Sequence, residues 1–243
     1  MAALITCIIP NFNGAPYLKE ALDSIVAQTY RQLEIIVVDD GSTDESAELV
    51  AACPGDVTLI RQPHLGLAAA RNCGLRAARG EHIAFLDHDD VWHPHKLARQ
   101  MAELTARPEL HASVTLMRNF WDPAIPESGK PQTDPMRTLL VSPYSPQTLL
   151  ARRSMFEIVG PFDSRLWYLG DVEWFRRAAA LRPTVLIEAL PEVLVYRRLH
   201  MANMSWEHIP AGELACLRAA RRAVKRFRNQ GNAPTPFPTE RAG

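Results

Sequence analysis

The first hundred residues alternate between short apolar runs rich in β-branched residues and longer stretches whose apolar positions follow helical spacing. Four of these runs predict strands, at residues 4–9, 33–38, 57–60 and 82–86. The runs are almost continuously apolar, as expected for strands that are covered on both faces. Strands that alternate with helices predict βαβ units, so the expected fold class is α/β with a mostly parallel sheet.

Three helices are predicted between these strands. The first begins near Pro16, and its apolar positions recur at helical spacing at Leu18, Leu22, Ile25 and Val26. A second is expected after the polar run 42–44, whose side chains can cap it. A third is expected at 67–79, ended by Gly80.

The second half of the chain is less regular. Residues 122–146 lose the periodicity and contain 6 of the 19 prolines, which predicts a long loop. Order returns at 148–159, followed by a helix at about 171–181 and apolar runs at 184–187 and 193–196. A last, basic helix is predicted at 210–229, and 230–243, with three further prolines, predicts a disordered tail.

Composition narrows the choice of function. The chain has 243 residues, 47% of them hydrophobic, which is enough for a sizeable core, and its 27 basic and 27 acidic residues give a net charge of zero. A neutral chain argues against a nucleic-acid partner. The charge is unevenly distributed along the chain, since residues 1–100 hold 13 acidic and 8 basic residues whereas residues 210–243 hold 2 acidic and 7 basic residues.

The location of the protein is inferred from what the chain lacks. The four cysteines form no C-x-x-C pair, which argues against a disulfide framework and a thiolate zinc site. No apolar run reaches the roughly 20 residues that span a bilayer, and the start lacks the charged segment of a signal peptide. We therefore expect a cytoplasmic protein.

Polar segments follow three of the predicted strands, at the carboxyl ends where ligands bind in open α/β sheets. They are Pro10-Asn11-Phe12-Asn13, Asp39-Asp40-Gly41-Ser42 and Asp87-His88-Asp89-Asp90. Because parallel strands end at the same edge of a sheet, we expect the three segments to converge there. Asp39 and Asp40 alone are equally well explained as turn and cap residues.

Asp87, Asp89 and Asp90 are harder to explain as a turn. Three carboxylates within four residues repel one another, and they directly follow a buried strand. A divalent cation relieves this repulsion, and oxygen ligands suit Mg²⁺ or Mn²⁺ holding a diphosphate. One alternative is a solvated acidic turn before a helix that starts near Pro94. Another is a zinc site, which no thiolate supports, at His88, His93 and His95.

Other phosphate-binding devices are missing from the sequence. It contains no P-loop and no G-x-G-x-x-G after the first strand, so metal and side chains would have to hold a nucleotide. Phe12 offers an aromatic face for a base, and Asp40 offers an acceptor for a base N–H. A half-buried core residue is the alternative interpretation of Phe12.

Five segments in order resemble family 2 glycosyltransferases of the GT-A fold, over roughly residues 4–206. Each segment is a modest signal by itself, but five at the family's spacing are a strong one. They are 9–13 (Ile-Pro-Asn-Phe-Asn), 24–30 (Ser-Ile-Val-Ala-Gln-Thr-Tyr), 37–44 (Val-Val-Asp-Asp-Gly-Ser-Thr-Asp), 66–74 with Ala70-Arg71-Asn72, and 85–90 (Phe-Leu-Asp-His-Asp-Asp).

This resemblance implies a GT-A fold in one catalytic domain at 1–209, with a nucleotide-binding half at 1–100 and an acceptor-binding half at 101–209. It implies an inverting enzyme that transfers a sugar from a nucleotide-diphosphate sugar, with a UDP-sugar favoured. The nucleotide base would contact Phe12 and Asp40, and the ribose would contact Asp87 or Asp89 of a D-x-D motif. The full donor site would comprise Pro10, Asn11, Phe12, Asn13, Asp40, Arg71, Asp87, His88 and Asp89.

The resemblance also implies a metal and a catalytic base. Mn²⁺ or Mg²⁺ would be bound by Asp89, Asp90 and His200. The family base usually follows a glutamate, but here Gly170 stands in the glutamate position, and Asp171 is the residue assigned as base. Glu173 is the second choice.

Two other functions stay open. A nucleotidyltransferase that makes nucleotide-sugars would share the sheet and the carboxylates, but it usually needs a Gly-rich loop with a basic residue, which 11–15 does not supply. A catalytically inactive nucleotide-sugar-binding protein is compatible with the departure at Gly170.

The predicted C-terminal helix bears on the acceptor. Within 211–228 one face is apolar and six Arg or Lys residues take the remainder. Such a helix either packs on the domain with solvated arginines or makes peripheral contact with the inner membrane face. The acceptor is therefore left open among a saccharide, a lipid-linked molecule, a natural product and a peptide.

Overall fold

The computed structural model describes residues 2–126, 140–141 and 144–203. The helices in these ranges are α1 (Ala15–Val26), α2 (Ser46–Ala51), α3 (Leu67–Ala77), α4 (Lys96–Ala106), α5 (Arg153–Val159) and α6 (Gly170–Ala180). The strands are β1 (Ile5–Asn11), β2 (Leu33–Asp39), β3 (Val57–Arg61), β4 (His82–Phe85), β5 (Val91–Trp92), β6 (Ala112–Trp121), β7 (Leu140–Val141), β8 (Leu149–Arg152) and β9 (Ile187–Leu199).

These strands form a single sheet in the order β3-β2-β1-β4-β8-β6-β9-β5, with β7 paired to β6. β1 is parallel to β2 and β4, β2 is parallel to β3, and β6 is parallel to β9. β8 is antiparallel to β4 and β6, and β5 is antiparallel to β9. The predicted α/β fold class is therefore confirmed, but the sheet is mixed rather than mostly parallel, since four strand pairs in the described residues are parallel and four are antiparallel.

Helices cover both faces of the sheet, which is why every residue of β1 is buried. On one face, α1 and α4 pack through residues such as Leu22 and Leu97. On the other face, α3, α5 and α6 pack through residues such as Phe156 and Trp174. Each fully buried side chain of this kind stabilises the fold by about 1.5–3 kcal/mol relative to an exposed one.

The boundary of α3 corrects one prediction. The helix ends at Ala77 rather than at residue 79, and its cap is Ala78, so Gly80 does not end it. Gly80 instead allows a close approach to β1, because a Cβ at this position would lie 2.6 Å from the Thr6 nitrogen.

The sequence pattern also misses strands that follow β4 in the chain. β5, β6 and β7 are not predicted, and the runs at 184–187 and 193–196 lead to one strand, β9, whose pairing with β6 shifts register near Leu116. The predicted loop at 122–146 contains β7, while 127–139 and 142–143 lie outside the described residues. The predicted helix at 210–229 and tail at 230–243 also lie outside them. None of the helices in the described ranges has the length and apolar character needed to cross a membrane.

Candidate functional site

The three polar segments follow strands that are neighbours in the sheet. Asn11 at the end of β1 pairs with Asp39 at the end of β2, and Ile8 of β1 pairs with Phe85 at the end of β4. Since these strands are parallel, their carboxyl ends form one rim. The segment after β4 begins two residues beyond Phe85, at Asp87.

The segment after β1 is tied to the segment after β2. Pro10 lies within β1 opposite Val38, and the Asn11 Nδ2 donates to the Ser42 hydroxyl at 3.1 Å. The Asn13 N–H donates to the same hydroxyl at 2.9 Å, with Asn13 in the left-handed region at φ 49°. The Asn11 Oδ1 is buried and has no hydrogen-bond partner in the described residues. Pro10, Asn11 and Asn13, together with Ser42, thus build the turn that carries Phe12.

Asp40 is only 3% exposed and is surrounded by the loop that follows β3. Its Oδ1 accepts from the Gln62 amide at 2.6 Å and from the Leu65 N–H at 2.9 Å. Its Oδ2 accepts from the Gly66 N–H at 2.8 Å and lies 2.9 Å from the His64 Nδ1. Three of the roughly four lone-pair positions of this carboxylate accept hydrogen bonds from the loop, and the His64 Nδ1, which is also 3.0 Å from the Asp40 carbonyl oxygen, covers the fourth. A base N–H could reach Asp40 only by replacing one of these partners.

Three rings lie beside Asp40. Phe12, which is 39% exposed, stacks on His64 with ring centroids 3.9 Å apart. The edge of Trp167 lies against His64 at 5.2 Å, and Trp167 is 56% exposed. Gly66 has a positive φ of 91°, and a Cβ there would lie 3.0 Å from the Trp167 ring. His64 therefore covers one face of the ring that the sequence assigns to base stacking.

Asp87 is held from two sides. The Arg71 Nη2 donates to Oδ1 at 2.8 Å, and the Gln147 amide nitrogen donates to Oδ2. Arg71 is buried on α3, with its guanidinium 5.6 Å from the centroid of the Phe162 ring. The structure thus brings the predicted pair Arg71 and Asp87 together and adds Gln147.

Asp89 meets His200 across 111 residues of chain, with the Nε2 of His200 3.0 Å from Oδ2. The Asn203 amide donates to the same oxygen at 3.1 Å. Burial by itself raises the pKa of Asp89, but the His200 hydrogen bond and the charges of His88 and His200 outweigh it and lower the pKa to about 2. Asp89 is therefore a carboxylate at neutral pH.

Asp90 points elsewhere. It is buried, and its Oδ1 accepts from the backbone N–H of Arg198 on β9 at 3.0 Å. Burial and the negative charges of Asp89 and Asp87 raise the pKa of Asp90 well above its usual range. The structure thus gives Asp90 the task of anchoring β9, and its predicted role as a metal ligand stays a prediction.

Arg198 brings a buried positive charge to this part of the rim. Its Nε donates to the Asp89 carbonyl oxygen at 3.1 Å, and its guanidinium pairs with Glu20. The guanidinium also lies over the rings of Tyr17 and Phe120, at 5.0 and 4.7 Å from their centroids. It therefore offsets part of the negative charge of the aspartates.

The three histidines of the zinc alternative do not come together. His88 packs over Gly14, where a Cβ would lie 2.6 Å from its ring. His93 and His95 lie beside each other just after β5, and the Nδ1 of His95 is 3.2 Å from the Thr29 hydroxyl. Within the described ranges, no group of three His, Cys, Asp or Glu side chains is arranged to hold a metal ion.

The two candidate bases differ in their surroundings. Asp171 lies in the first turn of α6, and its Oδ1 accepts from the Val172 N–H at 2.8 Å. Glu173 pairs with Arg177 one turn later, with 2.6 Å between Oε1 and Nε. Gly170 has room for a side chain, since the nearest atoms to a Cβ there would lie 3.8 Å away.

Several residues at this rim escape the sequence analysis. They are His64, Gln147, Trp167, Arg198 and Asn203, which reach the rim from loops and from β9. Arg198 and Asn203 lie two residues before and three residues after His200, which is a weak signal. Nothing in the local sequence marks Gln147.

Comparison with known proteins now decides the family. The model for glycosyl transferase family 2 matches residues 6–160, more than half of the chain. The chain belongs to this family. The resemblance carried by its five segments is therefore confirmed.

Curated relatives of this family 2 member include an uncharacterized glycosyltransferase of Rickettsia prowazekii and one of Nostoc sp. Both are 34% identical to the chain, over 214 and 216 residues respectively, and each alignment covers 82% of the chain. The chain spans 65% of the length of the first relative and 66% of the second.

Solved structures show the same fold. TarS of S. aureus in complex with UDP-GlcNAc is 20% identical, with a TM-score of 0.66 over 91% of this chain and 66% of TarS. A mannosyltransferase of Pyrobaculum calidifontis in complex with GDP-Man and Mn²⁺ is 21% identical, with a TM-score of 0.60 over 97% of this chain and 66% of its own. The expected GT-A fold of this family 2 chain is therefore confirmed.

Proposed function

We propose that this family 2 protein is an inverting, metal-dependent glycosyltransferase that uses a nucleotide-diphosphate sugar, with UDP as the favoured nucleotide. The observation that carries the proposal is the meeting of Asp89 and His200 at the rim, 3.0 Å apart, beside the clamped carboxylate of Asp87. The complexes of TarS with UDP-GlcNAc and of the mannosyltransferase with GDP-Man support a donor of this class. We further propose that residues 1–209 form one catalytic domain.

Asp89 and His200 are the residues that would hold Mn²⁺ or Mg²⁺. The Asp89 Oδ2 and the His200 Nε2 are in direct contact, and a carboxylate oxygen and an unprotonated imidazole nitrogen suit Mn²⁺. Nucleotide-bound cations commonly take only one or two protein carboxylates plus phosphate oxygens. A site with two protein ligands is consistent with the described part of the chain, in which no three His, Cys, Asp or Glu side chains are arranged to hold a metal ion. When bound, the cation would neutralise the negative charge that develops on the leaving diphosphate.

The protein's own groups prepare this site. Asp89 is ionised at neutral pH, since its pKa is about 2. Asn203 donates to Oδ2 of Asp89 and thereby fixes the direction of that carboxylate. Asp90 is turned to β9, so we leave it out of the proposed ligand set.

Asp171 would act as general base on the acceptor. It lies two residues before Glu173, whose carboxylate is paired with Arg177 and therefore less available for proton transfer. A base that deprotonates the acceptor for direct, in-line attack on the anomeric carbon gives inversion. Gly170 stands where the family usually has a glutamate, and the space that a side chain would fill there is empty.

Hydrolysis of donor sugars in the absence of an acceptor tests the proposal. The purified chain is incubated with UDP-, GDP- and dTDP-sugars and with Mn²⁺ or Mg²⁺, and NMR follows the anomer of the released sugar. We expect release of UDP and the inverted sugar, abolished by chelation. Asp171→Asn is expected to lower this rate by about 100-fold or more while UDP binding is kept, because general base catalysis typically contributes 10²–10⁴.

Glu173→Gln is the matched control and is expected to hydrolyse the donor at close to the wild-type rate. Full activity of Asp171→Asn would remove the assignment of the base, and release of the retained anomer would remove inversion. Binding of nucleotide-sugars without any release would indicate a non-catalytic binding protein. Release of pyrophosphate from UTP and a sugar 1-phosphate would indicate the nucleotidyltransferase instead.

The acceptor remains a choice among the saccharide, lipid-linked, natural-product and peptide classes. We propose peripheral membrane contact through residues 211–228, because six basic residues lie beside an apolar face in the sequence. Flotation with anionic liposomes, with and without residues 211–243, tests this contact. Flotation that is equal in both forms would contradict it.

A further inference from the structure

Gln147 and Asp87 meet at the rim although 60 residues separate them in the chain. The antiparallel pairing of β4 with β8 explains the meeting. In this register His82 pairs with Arg152, Ile83 with Ala151 and Ala84 with Leu150. Continued past the ends of both strands, the same register places Asp87 opposite Gln147.

The two donors on Asp87 differ in kind. Arg71 supplies a positive charge to Oδ1 and so offsets the charge of the carboxylate. Gln147 supplies a neutral amide to Oδ2 and adds no charge. Gln147 therefore orients the Asp87 carboxylate, because donors on both oxygens fix the plane of that group. The Asp87 side chain is still 19% exposed, so the remaining lone pairs are reachable from the rim.

Gln147 is itself held by the elements beneath the rim. It lies in the short 3₁₀ turn Pro146–Thr148 and is buried. The Trp92 indole N–H donates to its backbone carbonyl at 3.0 Å, and the Ser145 hydroxyl donates to its Oε1. The Gln100 amide holds the next carbonyl, that of Thr148, at 2.9 Å. The Gln147 side chain is thus fixed before any ligand binds, which is what precise positioning of a second residue requires.

We propose that Gln147 is a positioning residue for donor recognition, which holds the Asp87 carboxylate so that its free lone pairs accept from the ribose hydroxyls of the nucleotide. This inference rests on the proposed function, since it takes a nucleoside diphosphate as the ligand. Gln147 does not touch the nucleotide; it acts through Asp87. Its loss therefore affects ribose recognition more than diphosphate recognition.

Calorimetry on the full chain with Mn²⁺ tests this role, using UDP, 2′-deoxy-UDP and 3′-deoxy-UDP as probes. The wild type is expected to bind UDP about tenfold more tightly than at least one deoxy analogue, since a hydrogen bond to a charged group is worth about that factor. Gln147→Met keeps the length of the side chain and removes the donor. In this variant we expect the ratio to fall below about threefold, through weaker binding of UDP with little change for that analogue.

Gln62→Met is the matched control, because Gln62 also donates its amide to a rim carboxylate, that of Asp40, at 2.6 Å. It is expected to keep the wild-type ratio. Should Gln147→Met fail to fold, Gln147→Asn withdraws the amide by one methylene and must show the same fall in the ratio.

The outcomes separate this inference from the proposed function. An unchanged ratio in a folded Gln147 variant, or equal weakening of all three nucleotides, would overturn the positioning role. A wild type that binds UDP without discriminating the ribose hydroxyls would overturn it too, while leaving the proposed function in place. A wild type that does not bind UDP or any of the donor sugars would overturn the proposed function and this inference with it.

Discussion

Two acidic clusters follow the strands on either side of β1 at the same rim, yet they are built differently. The first cluster, Asp39 and Asp40, follows β2, and the second cluster, Asp87, Asp89 and Asp90, follows β4. In the first, both carboxylates are almost fully buried. In the second, Asp87 and Asp89 keep part of their side-chain surface in solvent.

The partners of the two clusters differ as well. Asp39 accepts from the Ser42 N–H and from Arg61, and Asp40 accepts from two backbone N–H groups and the Gln62 amide. These contacts tie down the loops after β2 and β3. Asp87 and Asp89 are instead held by side chains from distant segments, namely Arg71, Gln147, His200 and Asn203.

This contrast shows which carboxylates are available for chemistry. A carboxylate whose lone pairs are taken by the backbone around it is committed to the fold. A carboxylate that is oriented by side chains and remains partly exposed still has lone pairs for a ligand. The comparison therefore assigns the first cluster mainly to structure and the second mainly to the donor and the cation.

The largest expected effect comes from Asp89→Ala in the second cluster. We expect metal-dependent binding of UDP to weaken by roughly 100-fold or more, because the variant removes the charged ligand of the proposed cation site. Calorimetry with UDP in Mn²⁺ and in EDTA measures the effect. Equal UDP binding in both buffers by the wild type would contradict metal-dependent binding, and unchanged Mn²⁺-dependent binding by the variant would place the cation elsewhere.

Asp40→Asn tests the first cluster, and its expected effect is on stability. The amide oxygen can still accept from one side, but the amide NH₂ would face buried N–H donors such as that of Gly66. Leaving such donors unsatisfied costs about 1–3 kcal/mol. Urea unfolding is expected to show a loss of about that size, with UDP binding by the folded variant changed by no more than a few fold.

The opposite result would contradict the assignment of the first cluster to structure. If Asp40→Asn kept its stability and lost UDP binding, Asp40 would belong to the base-binding site that the family resemblance implies. His64 and the loop after β3 would then have to release Asp40 when the nucleotide binds.

The sequence predicts the two clusters but not the difference between them. Apolar runs that end in polar segments indicate β1, β2 and β4 and the rim they share, because strand order and burial leave a clear mark on residue pattern. What occupies the lone pairs of Asp40 depends on how the loop after β3 folds back. That loop is short and irregular, and its backbone N–H groups leave no mark in the sequence.

Contacts between segments that are distant in the chain explain why other residues of the site are not predicted from the sequence. Gln147 reaches Asp87 only because β8 runs antiparallel beside β4, and the sequence pattern fixes neither that neighbour nor its register. His200 was implied by the family resemblance alone, and Asn203 beside it is positioned by the end of β9. Asp171 is indicated by the same resemblance, while the pairing of Glu173 with Arg177 follows from ordinary i, i+4 spacing.

The smallest effect is expected from the arginine of the first cluster, compared with its counterpart in the second. Arg61 pairs with Asp39 and its side chain is 60% exposed, whereas Arg71 pairs with Asp87 and is 4% exposed. Water can replace the exposed guanidinium, so Arg61→Ala is expected to lower the free energy of unfolding by about 1 kcal/mol or less. Arg71→Ala leaves a cavity and a half-buried carboxylate without its charge partner, and we expect a loss of about 3 kcal/mol.

Urea unfolding of both variants, followed by calorimetry with UDP and Mn²⁺, measures the contrast. Only Arg71→Ala is expected to weaken UDP binding, because only its partner carboxylate faces the donor. Weaker UDP binding by Arg61→Ala with Arg71→Ala near wild type would reverse the assignment of the two clusters.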